Sequence, residues 1–196
     1  MKNRVVLYFG SFNPVHRGHI ALAEYVISDG FADQVVLIVS PQNPHKEQSG
    51  LAAEFSRYEM CQAACAASLY PDKIQVSAVE FTLPRPSYTI DTLNFLAENF
   101  GDQMEFSILM GADNIENFHR WKNCEQIIAN YPILVYPRTG YSLSRSHYAD
   151  RVVYLENAPL FNFSATDVRT ALSDGGDVSD KIIPEVERYI KQNKIY

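Results

Sequence analysis

Val5-Val6-Leu7-Tyr8-Phe9 runs directly into Gly10-Ser11-Phe12-Asn13-Pro14-Val15-His16-Arg17-Gly18-His19, and the join between the two stretches decides the fold. The first five residues are β-branched, aromatic or leucine, the composition of a buried strand. A Gly/Asn/Pro turn ends that strand, and Ile20, Ala23 and Ile27 then recur with helical spacing. Strand, glycine turn and helix open a βαβ unit.

The same alternation extends along the chain. Further apolar blocks lie at Val35 to Val39, Ile74 to Val79, Phe106 to Met110, Ile133 to Tyr136 and Val152 to Leu155. Helical spacing separates them at Ala53 to Leu69, Thr89 to Phe100 and Cys124 to Ala129, with Phe55, Met60, Ala63, Ala64 and Ala67 marking the apolar side of the first of these. Val35-Val36-Leu37-Ile38-Val39 does not alternate, as expected of a parallel strand covered on both faces. After Leu155 the pattern changes to two short helices, Ala165 to Leu172 and Pro184 to Gln192, and Tyr136 to Arg151 is the one loose stretch. Ligands of such sheets bind beyond the carboxyl ends of the strands, and every polar motif below follows a strand or starts a helix.

The whole chain has 196 residues and a net charge of -6, with a pI near 5.3. Its length suits one domain over residues 1–196. The acidic balance argues against a protein that coats nucleic acid, although a small polyanion needs only a locally positive pocket. No membrane-length apolar run or signal peptide is visible, so a cytoplasmic setting without membrane contact is expected. Cys61 and Cys65 lie one helical turn apart and Cys124 has no metal-ligand spacing, so all three read as small core residues.

Five motifs carry chemistry. Gly10 and Ser11 follow the first strand, where their backbone N–H groups can approach a phosphate and the next helix directs its positive end to the same place. His16 and His19, three apart, share one face of that helix's first turn, and Gly18 leaves room between them for a flat base or a ribose. Imidazoles there can stabilise charge on a breaking phosphoanhydride, although the same residues would also serve as a helix cap with two surface histidines. Pro41-Gln42-Asn43-Pro44-His45-Lys46 is a proline-stiffened loop with an imidazole and an ammonium, suited to phosphate or simply to solvent. In Ser87-Tyr88-Thr89-Ile90-Asp91-Thr92-Leu93, Ser87 or Thr89 can cap a helix.

Gly111-Ala112-Asp113, with Trp121-Lys122 further on, supplies a carboxylate for ribose hydroxyls and an indole for stacking; a helix cap and a core aromatic are the alternatives. Ser164 and Asp167 have the spacing of a capping box, whereas Arg169 lies beyond the reach of that cap and presents a planar fork of donors suited to phosphate.

Gly10-Ser11-Phe12-Asn13-Pro14-Val15-His16-Arg17-Gly18-His19 resembles the G-[ST]-F-[DN]-P-x-H-x-G-H signature of the HxGH nucleotidyltransferases, and the later motifs resemble those of the bacterial nicotinate-nucleotide adenylyltransferases. Phe9 stands where that family usually has a second glycine, and Asn13 where aspartate is commoner. The resemblance implies a Rossmann-like, doubly wound parallel sheet with a small C-terminal helical segment. It also implies adenylyl transfer from ATP to nicotinate mononucleotide, giving deamido-NAD and pyrophosphate, with Mg2+ arriving on ATP and room for a homo-oligomer. Carried over residue by residue, it places Gly10, Ser11, Phe12, His16, Gly18, His19, Ser164 and Arg169 on ATP. Asn43, His45, Lys46, Tyr88, Thr89, Asp113, Trp121 and Arg138 fall on the mononucleotide, and His16, His19, Lys46 and Arg169 on the chemistry. Transfer to nicotinamide mononucleotide or phosphopantetheine shares the reaction type, and a nucleotide-binding sensor would share the fold without the chemistry. The Y-I-x-x-x-x-[IL]-Y ending, Tyr189 to Tyr196, is expected to be packing.

Overall fold

The computed structural model describes residues 1–41 and 51–196. Its parallel sheet is built from β1 (Asn3–Gly10), β2 (Gln34–Val39), β3 (Ile74–Ser77), β4 (Met104–Gly111), β5 (Ile133–Tyr136) and β6 (Val153–Tyr154). The spatial order is β3-β2-β1-β4-β5-β6. The helices are α1 (Arg17–Ser28), α2 (Glu54–Ala66), α3 (Val79–Thr82), α4 (Thr89–Phe100), α5 (Ala112–Glu116), α6 (Cys124–Asn130), α7 (Ala165–Ser173) and α8 (Pro184–Asn193). Among the described residues no helix is long and apolar enough to cross a membrane.

β1 is central. Val5 to Gly10 pair with Gln34 to Val39 on one side, and Asn3 to Tyr8 with Met104 to Leu109 on the other. Its side chains alternate between two cores, Val6 and Tyr8 packing with Ala23 of α1 and Met60 of α2, while Val5 and Leu7 pack with Ile90 and Leu93 of α4. From β1 the chain winds outward through β2 and β3, then returns to β4 and winds the opposite way. The switch in direction lies between β1 and β4, so the crevice for a ligand opens above Gly10 and Gly111.

Several expectations change. The third strand stops at Ser77 rather than Val79, because the Ser77 hydroxyl accepts from the Val79 amide at 3.2 Å and turns the chain into α3. Phe55 is 65% exposed, whereas Met60 and Ala64 are buried as expected and Arg57, Cys61 and Cys65 complete the buried side of α2. Neither Ser87 nor Thr89 caps α4: Tyr88 occupies the cap position without a side-chain bond, and the Ser87 hydroxyl donates to Glu80. The stretch Tyr136 to Arg151 is tied down, since the Ser146 hydroxyl donates to the Ile115 carbonyl and accepts from the Tyr148 amide. Cys61 and Cys65 are buried, and burial pushes the Cys65 thiol up to about 12.

Candidate active site

His16 occupies the N-cap position of α1 and His19 its third residue. Their rings stack with centroids 3.6 Å apart and planes 22° from parallel. Nothing flat fits between them, so the room expected above Gly18 is already filled: a Cβ there would lie 3.1 Å from the His16 ring and 3.2 Å from Phe161. The missing side chain admits those two rings instead.

The His16 amide donates to His19 Nδ1 at 3.1 Å. An accepting Nδ1 leaves the proton of neutral His19 on Nε2, so the backbone sets its tautomer. His16 is almost wholly buried, and its pKa falls to about 3, first through burial and then through the nearby positive charge of Arg138. It is therefore neutral at pH 7. Among the described residues, its Nδ1 is the buried side-chain nitrogen or oxygen without a hydrogen-bond partner, an arrangement that calls for a ligand or a water.

Around the pair lies an open recess lined by His16, Gly18 and His19 of the first turn, Tyr8 and Tyr136 from the strand ends, Arg138, and Pro159, Leu160, Phe161 and Phe163. Tyr8 and Tyr136 share a hydrogen bond of 3.0 Å between their hydroxyls. Burial raises both phenol pKa values, so the floor of the recess is neutral. Arg138 supplies positive charge from beside it. Its Nε lies 3.4 Å from Asp113 Oδ1, which ties the end of β5 to the start of α5.

The remaining residues singled out from the sequence fall into three places. Phe12 is buried, with φ +44° and its ring edge-on to Tyr8 and His19, so its side chain supports the histidines rather than facing a ligand. Gly10 ends β1 and its bare Cα accommodates that ring, since a Cβ would come within 2.9 Å of it. Ser11 turns its carbonyl inward, to Arg57 at 2.6 Å.

At the start of α7, Ser164 Oγ and the Asp167 carboxylate form the reciprocal bonds of a capping box. Arg169 donates from Nη1 to the Asn13 carbonyl at 2.7 Å and from Nη2 to Thr166 at 3.2 Å, anchoring α7 to the turn after β1. Tyr88 and Thr89 open α4, where the Lys122 ammonium sits 4.6 Å above the Tyr88 ring and pairs with Asp91 at 2.9 Å. Trp121, partly buried against Phe118, directly precedes that lysine. Asn43, His45 and Lys46 lie outside the described residues.

The cytidylyltransferase-like family pattern matches residues 7–171. A protein of Cytophaga hutchinsonii named "probable nicotinate-nucleotide adenylyltransferase" is 39% identical over 98% of both chains. One of Bacteroides fragilis with the same name is 40% identical over 97% of this chain and 92% of that one. The chain belongs to the nicotinate-nucleotide adenylyltransferases. A Plasmodium falciparum nicotinic acid mononucleotide adenylyltransferase, solved in complex with NaAD, superposes with a TM-score of 0.79 at 17% identity, covering 99% of this chain and 97% of that one. At that identity it bears on the fold, and it is a Rossmann-like fold of the same kind.

For a member of this family, three features escaped the sequence reading. Tyr8 and Tyr136 were hidden inside apolar strand blocks, where a phenol reads as core. Phe161 and Phe163 precede the Ser164 cap and carried no signal beyond aromaticity. Arg57 and Glu80 are buried charges, and the spacing of Arg57 with Met60, Cys61 and Ala64 put it on an apolar helix face where a charge is out of place. Among the described residues no group of three or more His, Cys, Asp or Glu side chains could hold a metal ion.

Proposed function

We propose that this protein joins ATP and nicotinate mononucleotide to give deamido-NAD and pyrophosphate, as an enzyme of NAD biosynthesis working in the cytoplasm. The observation that carries the reading is the stacked His16–His19 pair, with a buried, unpartnered Nδ1, beside Arg138 at the β1/β4 switch point. A neutral imidazole with an unmet polar atom next to a guanidinium is a site for anionic oxygen.

In this reaction an oxygen of the mononucleotide phosphate attacks the α-phosphorus of ATP in line. The new P–O bond forms as the bond from Pα to the bridging oxygen breaks, and pyrophosphate leaves with that electron pair. The attacking phosphate is already anionic at pH 7, so no general base and no covalent intermediate are needed, and positioning with charge stabilisation supplies the rate. His19, protonated on Nε2, donates to the transferring phosphoryl group, and His16 adds its Nδ1 edge.

Arg169 and Ser164 at the start of α7 face the triphosphate, with Lys46 assigned to the phosphates by resemblance alone. Gly10, Ser11 and Gly18 shape the ATP half. Tyr88, Thr89, Asp113, Trp121 and Arg138 form the mononucleotide half, to which the resemblance adds Asn43 and His45. Mg2+ bound to ATP would neutralise phosphate charge during transfer.

Pyrophosphate release from ATP, measured with nicotinate mononucleotide against nicotinamide mononucleotide, tests this reading. A clear preference for the nicotinate form is expected. Preference for the amide would refute the stated acceptor while keeping the reaction class, and silence with every mononucleotide would favour a sensor.

A further inference from the structure

Glu80 is a buried carboxylate, 2% exposed, on the four-residue helix α3. Its neighbours Phe81 and Val79 pack against the two cores of the sheet, so the carboxylate reaches out from a fixed base. Each of its oxygens accepts from one buried hydroxyl, Oε2 from Ser87 at 2.9 Å and Oε1 from Thr92 at 2.9 Å.

The places of those two hydroxyls on α4 are particular. Tyr88 is the N-cap, Ser87 immediately precedes it, and Thr92 is the fourth residue of the helix. In many helices these two positions carry apolar side chains that touch and so fix the angle at which the chain enters the helix. Here both are polar, and a carboxylate from another helix bridges them. A buried carboxylate is a poor way to stabilise a fold, because desolvation opposes it and an apolar residue of similar volume often does as well. What the bridge achieves is geometric: α4 has no side-chain cap, and the bonds to Glu80 close around Tyr88 and Thr89 from the two sides.

We infer that Glu80 is a positioning residue for the acceptor substrate: it staples the start of α4 from α3 through Ser87 and Thr92, and so fixes the direction of Tyr88 and Thr89. The inference rests on the proposed function, in which these two residues hold the mononucleotide and not ATP. Loosening the staple therefore weakens one substrate and spares the other. A general loss of folded protein differs, since it lowers the apparent kcat and leaves both KM values in place.

The test is steady-state kinetics with each substrate varied in turn. Glu80→Leu keeps a side chain of similar volume and removes both acceptors, and Thr92→Val keeps the shape of the threonine and removes one donor. In both, the KM for nicotinate mononucleotide should rise by about tenfold or more while the KM for ATP stays within about threefold of wild type. Thr92→Ser retains the hydroxyl and should keep both KM values within about threefold. A smaller rise for the mononucleotide, a rise shared with ATP, or a Thr92→Ser as impaired as Thr92→Val overturns the assignment, and the threonine variants decide if Glu80→Leu does not fold. Wild-type protein inactive with this substrate pair would fail the functional reading instead. The staple is then judged by amide exchange: in Thr92→Val the Asp91 and Thr92 positions, whose amides bond to the Tyr88 carbonyl, should exchange at least about fivefold faster than in wild type. A smaller change overturns it.

Discussion

The hydroxyl of Tyr196 donates to the side-chain oxygen of Asn13, 183 positions earlier in the chain. The same oxygen accepts from the Ala52 amide at 3.0 Å, and the Asn13 carbonyl accepts from Arg169. Three distant segments thus converge on one residue of the turn that carries the histidines. The closing Tyr189 to Tyr196 motif, which read as packing, also makes a directed bond to the active-site turn.

Asn13→Ala, which strands the Ala52 amide and the Tyr196 hydroxyl, should cost roughly 1–3 kcal/mol in urea unfolding. Tyr196→Phe should lose about 1 kcal/mol. Equal stability of Asn13→Ala and wild type would show that the turn does not depend on these bonds.

His16 makes stability depend on pH with a definite sign. Its folded pKa is about 3, below the ordinary 6.5, so between these values the unfolded chain holds a proton that the folded one does not. The contribution is complete above pH 6.5 and is lost as pH falls toward 3, at up to about 1.4 kcal/mol per pH unit. Urea unfolding of wild type and His16→Gln from pH 7 to pH 5 should show the steeper loss in wild type, by about one proton. Parallel curves would mean that His16 titrates normally in the folded protein.

His19 should dominate the chemistry more than the fold, because it is only partly buried and its Nε2 proton is oriented by a bond to Nδ1. In His19→Ala, turnover with ATP and nicotinate mononucleotide should drop by about 100-fold or more, with the far-ultraviolet circular dichroism of wild type. Near-normal turnover would remove the pair from phosphoryl stabilisation.

The sheet was legible because its signal is local: apolar strand blocks, glycine turns and helical spacing each need only a few neighbouring residues, and α4 falls on Thr89–Phe100 as expected. What could not be read depends on side chains meeting from afar. Nothing near Ser87 announces that its hydroxyl turns to Glu80 rather than capping α4, and nothing near Phe12 announces that a positive φ folds its ring beneath His19. The i, i+3 spacing of His16 and His19 placed both rings on one face, but the space above Gly18 is closed by the His16 ring of that stack together with Phe161, which no local rule brings there. Local rules located the ligand crevice, and long-range contacts decided which atoms face it.

Ser164 is assigned to phosphate and also caps α7, and its neighbour Asp167 separates the two roles. Ser164 Oγ accepts from the Asp167 amide, while the Asp167 carboxylate accepts from the Ser164 amide and hydroxyl, so either residue lost breaks the capping box. Ser164→Ala and Asp167→Ala should each cost about 1 kcal/mol, or roughly 2–4 °C in Tm for a chain of this size. A hydroxyl that also meets ATP adds a second loss confined to Ser164→Ala: a fall of about tenfold in kcat/KM for ATP, the equivalent of one lost hydrogen bond. Asp167→Ala should keep kcat/KM within about threefold of wild type. If the two variants lose activity equally, the serine acts only by holding the helix start in place, and the phosphate contact falls to Arg169 and the rest of the first turn.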